Sequence, residues 1–75
     1  NKDRQHSMQT IRYGTTRYAL HNTTAVRLLR RAADRRMSVS DGLNRALVAL
    51  ALKVEEGSLS AAEAIELERS VDRLS

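Results

Sequence analysis

The chain has no cysteine, no proline, no phenylalanine and no tryptophan, and only three glycines in 75 residues. Without cysteine, disulfides and thiolate metal sites are excluded, and the composition suits a reducing cytoplasm. Two tyrosines are the whole aromatic content. The core therefore has to be built from Leu, Ala, Val and Ile, a set that favours helix. No apolar run approaches the roughly 18–20 residues needed to span a bilayer, and no signal-peptide pattern is visible. Gly14, Gly42 and Gly57 stand far apart, so a phosphate-cradling loop and a dinucleotide fingerprint are both missing. His21 has no acidic residue at helical spacing and His6 has only Asp3, within a polar aperiodic stretch, while Glu55, Glu56, Glu63 and Glu66 fall on outward helix positions. The expectation is a binding protein, with no enzymatic activity, metal or cofactor.

Charge is present in quantity but unevenly placed. Residues 1–36 carry nine basic residues against Asp3 and Asp34, a net of +7. Residues 37–75 carry four basic and seven acidic residues, a net of −3. Eleven of the thirteen basic residues are arginine, the side chain best suited to phosphate and to guanine. A positive end on a small protein is the electrostatic footprint of a nucleic-acid partner. A solvated basic face is the plainer alternative.

Along the chain, NKDRQHSMQT is polar and aperiodic, and residues 1–14 read as a basic flexible arm. RYALH alternates: Tyr18 and Leu20 on one side, Arg17, Ala19 and His21 on the other, the pattern of a half-buried strand. The opposite register would bury an unpaired Arg17, which is costly. NTT then offers three helix N-cap types, with Thr23 the expected cap. AVRLLRRAADRRM sets Val26, Leu29, Ala32 and Ala33 at helical spacing, with five arginines on the remainder. SVSD reads as a capping box, Ser38 with Asp41. The next helix has Leu43, Ala46, Leu47, Leu50, Ala51 and Val54 on one face, and Val48 and Leu52 on another. A helix apolar nearly all round is buried on more than one side, which points to a second subunit. Gly57 is placed to end it. Ser60 with Glu63 caps a third, acidic helix, whose stripe is Ala64, Leu67, Val71 and Leu74.

The order strand, helix, short turn, helix from about Thr15 to Val54 resembles the ribbon-helix-helix family of DNA-binding proteins. The resemblance rests on RYALH, NTT, AVRLLRRAADRRM, SVSD and GLNRALVAL. It implies a mainly α fold with one short N-terminal strand, in an intertwined homodimer. In such a dimer the strand pairs antiparallel with its copy in another subunit. Residues 15–57 would be the DNA-binding and dimerisation domain, and residues 58–75 an added C-terminal helix.

The implied function is a repressor of bacterial or phage type, cytoplasmic and associated with the nucleoid. It would insert the ribbon into the major groove of a pseudo-palindromic operator. Thr15, Arg17, Ala19 and His21 would face the bases. Ser38, Val39 and Ser40 would hold phosphate at a helix N-terminus, helped by Lys2, Arg4 and Arg12. Tyr18, Leu20, Leu29, Leu43, Leu47, Leu50 and Val54 would form the dimer core. Assembly beyond the dimer on DNA is compatible with this frame.

Two other readings stay open. The same fold serves plasmid partition and relaxosome accessory proteins. An antitoxin or other interaction module would use residues 58–75 to bind a partner protein.

Overall fold

The structure is a computed structural model and describes residues 8–35 and 41–74. A two-stranded antiparallel sheet is followed by three helices: β1 (Gln9–Tyr13), β2 (Thr16–Leu20), α1 (Thr23–Arg35), α2 (Asp41–Glu56) and α3 (Ala61–Leu74).

β2 is the strand that the alternation predicts, but it is not alone. Ile11 and Tyr13 alternate with Thr10 and Arg12 just as Tyr18 and Leu20 alternate with Arg17 and Ala19, and two turn residues separate the runs. The strands close as a hairpin with Ile11 opposite Tyr18 and Arg12 opposite Arg17. Gly14 takes φ +66 while Thr15 keeps a negative φ, the φ pattern of a type II′ hairpin turn. Three expectations are corrected here. The described residues form two strands, and residues 9–13 belong to the sheet, so the basic arm does not extend to residue 14. The partner of β2 is therefore supplied within the chain.

Open space surrounds the Gly14 Cα, so a methyl group there meets nothing. Any penalty of Gly14→Ala comes from backbone strain at positive φ alone, about 1–2 kcal/mol. The expected result is a drop in urea midpoint of that size with the helical circular dichroism unchanged.

Asn22, not Thr23, caps α1. Its Oδ1 accepts the amides of Thr24 at 2.8 Å and Ala25 at 3.2 Å. The helix buries Ala25, Val26, Leu28, Leu29 and Ala32 against α2 and, through β1 chiefly, against the hairpin. α2 buries Leu47, Val48, Leu50, Ala51 and Val54, with Leu43, Ala46 and Leu52 packed against that core. α2 packs on both α1 and α3, and apolar residues of both its faces lie in or against the core of one chain. The breadth of its apolar surface thus does not require a second copy. The residues expected to form a dimer core, from Tyr18 to Val54, lie in or against the core of the single chain.

α2 stops as expected. The amide of Gly57 (φ +91) bonds the carbonyl of Val54 at 3.1 Å, and that of Ser58 bonds Lys53 at 3.0 Å, a Schellman closure. Ser60 and Glu63 then form a reciprocal capping box: the Glu63 amide reaches Ser60 Oγ at 3.1 Å, and the Ser60 amide reaches Glu63 Oε1 at 3.2 Å. The buried stripe of α3 is Ala64, Glu68 and Val71, whereas Leu67 and Leu74 are exposed. The predicted stripe is therefore rotated by part of a turn. A glutamate takes the place of a leucine because α1 presents arginines there. Among the described residues no helix is long and apolar enough to cross a membrane.

Candidate nucleic-acid interface

The hairpin has two unlike faces. Ile11 and Leu20 are buried, and Tyr13 and Tyr18 pack against the core. The opposite face carries Thr10, Arg12, Arg17 and Ala19, all exposed. Thr10 lies directly across from Ala19, and Arg12 from Arg17. In a hairpin closed by two residues, the second pair from the turn is the non-hydrogen-bonded kind, in which side chains stand closest. Like charges in that position oppose each other. From Met8 to Leu20 there is no acidic residue. Among the described residues no carboxylate forms an ion pair with either arginine.

Of the four residues expected to face bases, two share this surface and two do not. Arg17 and Ala19 stand on the outer face of β2. Thr15 lies in the turn and so cannot continue that face. His21 follows the strand and is drawn toward α2: its Nδ1 is 3.2 Å from Glu55 Oε2. Arg12, expected to touch phosphate from a loose arm, is instead fixed beside Arg17. Lys2, Arg4, Ser38, Val39 and Ser40, with the Ser38–Asp41 capping box, lie outside the described residues.

Glu55, expected only as an outward helix position, anchors the root of the hairpin. Its Oε1 accepts the backbone amides of His21 and Asn22, each at 2.9 Å. The Asn22 amide, ahead of the His21 contacts, holds the Glu55 carboxyl below the usual glutamate range. One side chain thus ties the end of β2 and the start of α1 to the last turn of α2.

Arg27, Arg30 and Arg31 of α1 are already engaged. Arg30 donates to Gln9 Oε1 at 2.6 Å, joining α1 to β1. Arg27 grips Glu68 through both oxygens, at 2.8 and 3.2 Å. Arg31 bonds Glu68 and also Asp72, the latter at 2.6 Å. Hydrogen bonding from Arg27, then from Arg31, holds the Glu68 carboxyl below its ordinary value against the opposing effect of burial. Both guanidinium groups are pushed up in turn, Arg27 chiefly by Glu68 and Arg31 chiefly by Asp72.

No protein-family model matches the chain, and no curated protein or solved structure shows significant similarity to it.

Proposed function

We propose that the chain binds duplex DNA by laying the outer face of β1 and β2 in the major groove, as a transcriptional repressor acting in pairs on a pseudo-palindromic site. The observation that carries this reading is the Arg12–Arg17 cross-strand pair, exposed and without a carboxylate on its own hairpin. Two guanidinium groups side by side destabilise a bare sheet and are relieved by an anionic surface. A two-stranded ribbon has the width of the major groove, and arginine can bond guanine O6 and N7 together. Ala19 offers a methyl contact to thymine, and Thr10 opposite it a hydroxyl.

The ribbon-helix-helix resemblance supports the same use of β2. Each copy carries its own two-stranded hairpin, so two copies would each present one hairpin to one half of such a site. The chain is read as a binding module and not as an enzyme.

Selection of bound sites from a random DNA pool, with mass measurement of the complex, supplies the cognate duplex and the copy number. Arg17→Ala should then weaken the selected site about tenfold while leaving a scrambled duplex nearly unchanged. Affinity should also fall steeply with salt. Equal losses at both duplexes would remove Arg17 from base reading, and a flat salt response would remove nucleic acid.

A second reading has one observation in its favour. Leu67 and Leu74, seven residues apart on α3, are 45% and 73% exposed. An apolar pair on an acidic helix is what an antitoxin or adaptor would offer a partner protein, and such a role is compatible with DNA binding on the same chain.

A further inference from the structure

α3 is held to the body by little apolar surface. Ala64 and Val71 are its only buried apolar residues, while Ile65, Leu67 and Leu74 are exposed. The third buried residue is Glu68, and both of its oxygens lie on α1 arginines. Asp72, one turn further along, takes the other nitrogen of Arg31. Two guanidinium groups one turn apart on α1 thus grip two carboxylates one turn apart on α3. The planar donor fork of arginine fits phosphate as well as carboxylate.

We propose that the Arg27–Arg31 face of α1 is a second anion site, for the phosphate backbone of duplex nucleic acid, and that α3 is its built-in competitor. Glu68 and Asp72 stand where phosphate oxygens would. The side chains of Arg27 and Arg31 are 50% and 31% exposed, so their ion pairs are reached by solvent and weakened by salt. A duplex carries a dense row of like anions and competes for the same forks.

Asp34 is the acidic residue on that side of α1, and it takes no part in the clamp. With α3 docked, the sequence-independent part of DNA affinity is held down and the hairpin face dominates. With α3 displaced, two further phosphates are gripped. The inference depends on the hairpin reading only for the identity of the polyanion.

The test compares four full-length chains on a random-sequence duplex over a salt series: wild type, E68Q/D72N, the same pair with R27A/R31A, and E56Q/E66Q. The last makes an equal charge change away from the clamp. E68Q/D72N should steepen the slope of log affinity against log salt by about 1.8, two phosphates at roughly 0.9 each. Adding R27A/R31A should erase that gain, and E56Q/E66Q should not reproduce it. Helical circular dichroism checks each fold, and Asp72→Asn alone, at an exposed carboxylate, gives a smaller steepening should the double variant unfold.

An unchanged slope in E68Q/D72N overturns the proposal. A gain that survives R27A/R31A, or that E56Q/E66Q matches, overturns it as well. R12A/R17A, assayed on selected and scrambled sites, reports on the hairpin separately, so either reading can fail without the other.

Discussion

Glu68→Ala is expected to lower the unfolding free energy by about 2–3 kcal/mol and to loosen α3 from the body. Removing one member of a buried ion pair typically costs about 3–5 kcal/mol, because the remaining charge is stranded. The figure here is smaller because Arg27 and Arg31 are both in reach of water and can turn outward. In a domain of this size the loss corresponds to a fall in Tm on the order of 10 °C. Glu68→Gln should cost less, since it keeps the shape and one acceptor.

The pH dependence has a definite sign. The Glu68 carboxyl titrates lower in the folded chain than its ordinary value, which in the unfolded chain is about 4.3. Its contribution is therefore complete above that value and disappears as pH falls through the depressed folded value. Glu55 is shifted the same way and adds to the acid sensitivity of the wild type. Subtracting the Glu68→Gln profile isolates the clamp. Thermal melts from pH 7 to pH 3 should show the wild-type advantage shrinking below about pH 4.5. An advantage that stays constant to pH 3 would mean that Glu68 does not hold α3 by its charge.

The helices were legible because each carries its own punctuation. The NTT run at the start of α1, Gly57 at the end of α2 and the Ser60–Glu63 pair before α3 are local signals, although within NTT it is Asn22 rather than the expected Thr23 that caps. β1 is the element that the sequence reading misses: Ile11 and Tyr13 alternate up to a Gly-containing turn, yet residues 1–14 are expected as an arm. The polar run before it hid a strand only five residues long. What the sequence could not carry is pairing across distance. Glu68 meets Arg27 across 41 positions, and Glu55 meets Asn22 across 33.

Apolar spacing therefore sets the α3 stripe on Ala64, Leu67, Val71 and Leu74, of which Leu67 and Leu74 are exposed. Periodicity weighs hydrophobicity, and a glutamate enters a core only where a distant arginine waits for it. The sequence also leaves the docking of α3 open, so the first helix alone looks too small to cover α2, whereas α3 packs on α2 within the chain. For the interface, alternation was enough to put Arg17 and Ala19 outward. It could not reveal that Arg12 stands opposite Arg17 or that His21 is turned to Glu55.

Asn44→Leu is expected to stabilise the chain by about 2 kcal/mol. Asn44 is 0% exposed on α2, in the buried stripe that continues through Leu47 and Ala51. Neither its Nδ2 nor its Oδ1 has a hydrogen-bond partner among the described residues. Leaving a buried polar group unsatisfied costs about 1–3 kcal/mol, whereas an apolar side chain of similar size in the same space carries no such penalty. Leucine is close to asparagine in length and should need little repacking. Asn44→Ala should be nearly neutral, because the cavity it opens offsets the polar penalty it removes.

The same substitution also weighs the two-copy reading of DNA binding. A buried polar side chain that fixes an assembly stabilises it through the partner it meets there. Melting each variant at two protein concentrations separates the cases. A gain of about 10 °C for Asn44→Leu, equal at both concentrations, marks the amide as a cost carried within one chain. A loss that deepens on dilution would mean that the amide is satisfied between copies, and that α2 is rearranged in the assembled protein.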